Sequence, residues 1–265
     1  MIVRKSSGPL LVCQDHGKNN ASVVVLVHGF PLDHRMWEPQ IKALSAEHRV
    51  LAVDLAGFGG SPLPEGMMTM DRYAAGLVSL LTDKGINQPV HLAGFSMGGY
   101  VALAFMRQFP ARAASLMLVD TKAAPDTPEA AQGRAKLAKQ VLAEGAGVVA
   151  DAMIPKLLSK QNQASKPELV KQVREIMMDQ PPASIAAALD AMARRPDSTP
   201  GLSSIKIPTL IIVGSDDVIT PPEEMRKVAA EIPMAKVVEI PGAGHLTTLE
   251  APDVVNAAML KQIMA

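Results

Sequence analysis

The chain has 265 residues, of which 48% are hydrophobic and 20% charged, with 26 basic side chains against 26 acidic ones. A chain of that length and apolar content supports one large domain, and excludes both a disordered segment and a small scaffold held by staples. The neutral balance gives no long-range pull on nucleic acid or on an acidic membrane surface, so neither is expected as a partner.

The opening stretch MIVRKSSGPLLVCQDHG has basic residues but no apolar run long enough for a signal peptide, and no later run is long enough to span a bilayer. A cytoplasmic protein is the expectation. Cys13, the single cysteine, rules out an internal disulfide and fits a reducing compartment. Residues 22–28 (SVVVLVH) and 49–55 (RVLAVDL) are short, β-branched and apolar, as strands covered on both faces should be. Between them HRMWEPQIKALSAE has helical spacing, with Trp37, Ile41 and Leu44 on one face. Then follow a glycine-rich loop, AGFGGSPLPEG, a helix near 70–84, the strand PVHLAG, a helix over about 97–109 and the strand ASLMLVD at 114–120. Strict alternation of strand and helix means βαβ units and a mostly parallel sheet.

From about 122 to 200 the pattern changes to alanine, lysine, glutamine and methionine, with helical stretches broken at Pro155, Pro167, Pro181, Pro182 and Pro196. This segment reads as an inserted helical cap. Alternation resumes with IPTLIIVGS at 207–215, a helix after Pro222, the strand AKVVEIP at 235–241 and a closing helix from about 250. The expected division is a core over 1–121, a cap over 122–200 and the rest of the core over 201–265.

In an open α/β sheet, ligands bind beyond the carboxyl ends of the strands. Four polar features sit at such ends: HGF at 28–30, Ser96 within GFSMGG, GSDD at 214–217 and GAGH at 242–245. GFSMG fits the pattern G-x-S-x-G between a strand and a helix, in which Gly94 and Gly98 clear a tight turn that exposes the serine. The glycines also suit plain close packing of helix on sheet. A serine hydroxyl needs a general base within hydrogen-bond reach. Of His16, His28, His34, His48, His91 and His245, only His245 follows the last strand in a glycine-lined loop able to reach back. A carboxylate must then hold the imidazole in the right tautomer. Asp217 is preferred, and Asp120 and Asp216 are the alternatives. The oxyanion formed on attack calls for two backbone N–H donors, assigned to Met97, directly after the serine, and Phe30 in the HGF turn. His28 is expected to hold that turn rather than move protons.

The segments HGFPLDHRMWEPQ, VLAVDLAGFGGS, GFSMGGYVAL, GSDDVITPPE and IPGAGHLTTLE resemble those of the α/β-hydrolase superfamily, in its branch of small bacterial esterases, 3-oxoadipate enol-lactonases and non-haem haloperoxidase-like perhydrolases. The resemblance implies an α/β-hydrolase fold with an eight-stranded, mostly parallel sheet flanked by helices, a helical cap, and the triad Ser96, Asp217 and His245 with Phe30 and Met97 as oxyanion donors. It implies no metal and no organic cofactor. Serine at position 96 disfavours the dehalogenase and epoxide hydrolase branches, whose nucleophile is an aspartate. Pro31 resembles the perhydrolase pattern and equally suits a turn.

The expected activity is hydrolysis of small to medium carboxylic esters through an acyl-enzyme. Enol-lactone hydrolysis and a perhydrolase side activity are the enzyme alternatives, and a ligand-binding protein of the same fold is the non-enzyme one. Met153, Met177, Met178 and Met192 are candidates for an apolar acyl pocket. Arg134, Lys136, Lys139, Arg194 and Arg195 are candidates to hold a substrate carboxylate.

Overall fold

β2 (Val23–Val27) is buried at every position, and β3 (Arg49–Asp54) at all but its first. Such runs suit a strand with helices on both faces. The structure, a computed structural model, describes residues 8–264. Residues 1–7, the start of the stretch read as lacking a leader, and Ala265 lie outside the described residues.

β1 (Val12–His16), β4 (Val90–Phe95), β5 (Ala113–Val119), β6 (Thr209–Gly214) and β7 (Ala235–Ile240) complete the sheet, in the order β1-β3-β2-β4-β5-β6-β7. Only β1 runs antiparallel to its neighbour. Seven strands therefore form among the described residues, against the eight implied by the resemblance. Gly8 to Leu11, just before β1, make no strand, and Pro9 among them has no N–H for a ladder. β1 carries no apolar run, which is why the sequence pattern passed over it. Its Asp15 instead accepts from Arg49 (3.0 Å) and from Lys84 (2.9 Å), tying the edge to β3 and to the helix that follows.

The helices stand close to their expected places. α1 (Glu38–Leu44) follows a 3-10 turn over His34–Trp37 and buries Ile41 and Leu44. α2 (Met70–Asp83) starts where the Thr69 side chain accepts from the Arg72 N–H. α3 (Met97–Gln108) leaves the end of β4 without a connecting loop. Between β5 and β6 lie α4 (Pro128–Glu144), α5 (Gly147–Leu157), α6 (Lys160–Ser165), α7 (Pro167–Met178) and α8 (Pro182–Ala193). Pro167 and Pro182 start helices, where their missing N–H costs nothing. Pro155 does not break one: it lies inside α5, whose end two residues later leaves little helix to disturb. α9 (Pro222–Glu231), α10 (Thr247–Glu250) and α11 (Pro252–Ile263) close the chain.

Because β2 to β7 run parallel, their carboxyl ends share one edge of the sheet. His28, Ser96, Asp120, Asp217 and His245 follow strand ends there, and Asp54 is the last residue of β3.

Candidate active site

Ser96 occupies φ 50°, ψ −113°, a conformation that L residues rarely adopt and that persists only where neighbours enforce it. Here they do. The Ser96 N–H donates to Val119 O (2.9 Å), while its carbonyl accepts from Thr121 Oγ1 (2.7 Å) and Gly99 N–H (2.9 Å). A Cβ at Gly94 would stand 2.3 Å from Gly98 O, and one at Gly98 would stand 2.2 Å from Val27 O. Both glycines are thus required for the strand, turn and helix to come this close.

His245 Nε2 lies 2.9 Å from Ser96 Oγ, and His245 Nδ1 lies 2.8 Å from Asp217 Oδ2. A carboxylate at Nδ1 demands that Nδ1 carry the proton, which leaves the Nε2 lone pair facing the serine hydroxyl. Both His245 and Asp217 are buried, and the Phe95 ring packs against the imidazole with centroids 5.1 Å apart. Asp217 Oδ1 accepts from the N–H groups of Ile219 (2.7 Å) and Thr220 (3.0 Å), and Oδ2 also accepts from Thr220 Oγ1 (2.6 Å). Burial alone would raise the Asp217 carboxyl, but the charge and hydrogen bond of His245, with the Thr220 donors, bring it below the ordinary value.

The backbone N–H groups of Phe30 and Met97 donate no hydrogen bond among the described residues. Met97 N is the first of α3, where the helix dipole favours negative charge. The Phe30–Pro31 peptide is cis. His28 is fully buried; its Nδ1 donates to Gly29 O (2.9 Å) and its Nε2 accepts from the Leu55 N–H (2.9 Å). With both nitrogens used and burial lowering its basicity, it stays neutral and ties the HGF turn to the end of β3.

The alternative acids lie elsewhere. Asp216 is exposed and accepts from Ser215 Oγ (2.8 Å). Asp120 is fully buried at φ 43°, where Oδ1 accepts from Gly214 N–H (3.0 Å) and Oδ2 bonds the Thr247 hydroxyl. Burial, reinforced by the charge of Asp217, raises the Asp120 carboxyl well above its ordinary value.

One set of candidate metal ligands occurs among the described residues: Asp33, His34 and Asp54, whose ligand atoms lie within 4.8 Å of one another. Sequence spacing did not reveal it. The carboxylate oxygens and His34 Nδ1 are already engaged, Asp54 by the His34 N–H and Nδ1 and by Gly60 N–H, and Asp33 by Arg35 and Gln180. The donor set holds loops together and does not fit a metal centre.

Of the candidate cations, Lys136 and Lys139 are exposed and Arg194 pairs with Asp190 on the surface. Arg134 and Arg195 converge with Lys122, which the sequence reading missed, on the single carboxylate of Asp126. The Arg195 guanidinium also stacks over the Tyr100 ring at 4.2 Å, one helical turn beyond Ser96. Burial and the two arginines depress the Lys122 ammonium. Of the methionines, Met177 and Met192 are core, Met178 is largely exposed and Met153 is half-buried.

A family profile described as alpha/beta hydrolase fold matches residues 22–252. The chain is 28% identical to 3-oxoadipate enol-lactonase 1 of Acinetobacter baylyi over 96% of this chain and 92% of that one. A thermophilic esterase from Thermogutta terrifontis, solved with malate bound, superposes with a TM-score of 0.93 at 43% identity, covering 96% of this chain and 93% of that one. The enol-lactonase of Burkholderia xenovorans superposes with a TM-score of 0.89 at 28% identity, covering 96% of each chain.

Proposed function

The chain belongs to the alpha/beta hydrolase fold family, and within it we propose a serine hydrolase that cleaves small to medium carboxylic esters through an acyl-enzyme. One observation carries the reading: Ser96 Oγ, the two nitrogens of His245 and Asp217 Oδ2 form an unbroken hydrogen-bonded line with the tautomer that lets Nε2 take a proton.

In this mechanism Ser96 Oγ attacks the ester carbonyl while its proton passes to His245 Nε2. Asp217 stabilises the imidazolium so formed. The carbonyl oxygen, now negative, sits between the N–H groups of Phe30 and Met97, donors with no other partner to give up. Collapse expels the alcohol, which takes the proton from His245. Water, deprotonated by the same nitrogen, attacks the acyl carbon and releases the acid and Ser96. The helices α4–α8 act as the cap that closes over the acyl group. The site of action is the cytoplasm.

A second reading has a specific observation in its favour. Lys122, Arg134 and Arg195 share one carboxylate, and the Arg195 guanidinium lies over the Tyr100 ring, so the region has positive charge to spare. That favours an ester or enol-lactone bearing its own carboxylate, in keeping with the enol-lactonase relatives and with the malate held by the thermophilic esterase.

Initial rates on p-nitrophenyl esters from acetate upward, beside a carboxylate-bearing lactone, test both. Ester turnover that vanishes in Ser96→Ala, with phosphonate labelling at Ser96, is the expected result. A lactone rate far above every ester makes the lactone the true substrate class, and an unlabelled Ser96 leaves a binding protein.

A further inference from the structure

The buried carboxylate of Glu250, at the end of α10, accepts four hydrogen bonds divided between two parts of the molecule. Oε1 takes the N–H groups of Gly244 (2.9 Å) and Leu246 (3.2 Å), the residues on either side of His245. Oε2 takes the Ser159 N–H (2.9 Å) and Asn162 Nδ2 (2.7 Å), both from the junction of α5 and α6. The same junction touches the His245 loop directly. The Leu246 N–H is shared with Leu157 O (3.0 Å), and a Cβ on Gly244 would stand 2.4 Å from Ser159 N. Lys166 Nζ adds a bond to the Glu250 carbonyl (2.7 Å).

Four donors converging on one side chain need an acceptor at both of its oxygens, which only a carboxylate provides. An amide keeps one oxygen for one pair and turns an NH2 group on the other. No residue type or spacing in the sequence singles Glu250 out.

We propose that Glu250 is a positioning residue for the reaction: it fixes the backbone on both sides of His245 and ties that backbone to the α5–α6 junction, so that the seating of the helices between β5 and β6 sets the line from His245 Nε2 to Ser96 Oγ. The inference rests on the serine hydrolase reading. Glu250 touches no reacting atom; it acts through the loop it grips. A shift of about 1 Å in a reacting group is enough to cost a hundredfold in rate.

The test compares the wild type with Glu250→Gln, Asn162→Ala and the double variant Glu250→Gln/Asn162→Asp. Folding is followed by circular dichroism and thermal melting, and activity by kcat, KM and the rate of phosphonate labelling at Ser96. Glu250→Gln should lower kcat and the labelling rate together by about 10- to 100-fold, with KM little changed. Asn162→Ala, which removes one of the two donors at Oε2, should show the same split more weakly. In the double variant the new Asp accepts from the Gln NH2, so at least part of the lost kcat returns. A Glu250→Gln protein that labels and turns over within about twofold of wild type overturns the proposal, as does a loss that follows the folded fraction and is not rescued. If Glu250→Gln does not fold, wild-type kcat in Asn162→Ala overturns it. A wild type that is never labelled refutes the serine hydrolase reading instead, which keeps the two failures apart.

Discussion

Replacing Asp217 by asparagine changes one atom, and the surroundings dictate which way the amide must lie. Oδ1 faces two backbone N–H groups, those of Ile219 and Thr220, while Oδ2 faces His245 Nδ1 and the Thr220 hydroxyl. If the NH2 group took the Oδ1 place, it would leave both N–H groups buried without an acceptor, at about 1–3 kcal/mol each. The hydroxyl of Thr220, by contrast, can rotate and accept. The amide oxygen therefore stays on the backbone donors, preferred by roughly 30-fold or more for a gap of ~2 kcal/mol. The NH2 group then donates to His245 Nδ1, which forces the proton onto Nε2 and aims it at Ser96 Oγ. The base is present, aligned and in the wrong tautomer. The expected loss in kcat on p-nitrophenyl acetate is about 10³- to 10⁴-fold, equivalent to ~4–5.5 kcal/mol, with the fold kept. An Asp217→Asn protein that keeps a tenth of wild-type turnover refutes both the tautomer argument and the assignment of the acid.

Asp120→Asn should keep most of the turnover, because Asp120 does not touch His245; a loss as deep as that of Asp217→Asn would make Asp120 the acid. The same variant has a distinct pH signature in melting scans. The raised Asp120 carboxyl means that the folded state holds its proton more tightly than the unfolded chain, so its stabilising share is complete below about 3.8 and is lost as pH rises through the raised value. The melting temperature of Asp120→Asn relative to wild type should therefore climb with pH, and a constant difference would contradict this. Asp217 behaves in the opposite sense: its lowered carboxyl contributes above the ordinary value of 3.8 and is lost as pH falls through the depressed one, so Asp217→Asn should narrow the gap to wild type in acid. Gly98→Ala, whose Cβ would meet Val27 O at 2.2 Å, should destabilise by ~1–3 kcal/mol or more, read as a fall of several degrees in melting temperature. Lys122→Met should raise KM for a carboxylate-bearing lactone about tenfold, for a contact of ~1.4 kcal/mol, and leave a neutral ester unchanged; equal effects on both would remove Lys122 from substrate recognition.

The elements were legible where one physical rule dominated. β2 and β3 announced themselves as apolar runs because both faces are covered, and Ser96, Asp217 and His245 because each follows a strand in a set order. β1 was missed because an edge strand need not be apolar, and this one is held through Asp15. Asp126 and Lys122 escaped notice because a lone charge in a helical, lysine-rich stretch looks like solvated surface; only folding brings Arg195 from residue 195 to meet them. Thr220 bonds Asp217 and Glu250 holds the backbone beside His245, and no residue type or spacing marks such a contact in a single sequence.

The turn at residue 96 takes its shape from Val119, Thr121, Gly94 and Gly98, all of which act on its backbone or on the space around it. The side chain at that position bears none of the strain-holding contacts. Frame and side chain are thus separable: a thiol or a carboxylate introduced there would be delivered to the same point in space, whereas a methyl group added at either glycine would move the point itself. Such modularity lets new chemistry arise at one codon while its neighbours stay fixed, and it makes the turn a natural starting point for redesign.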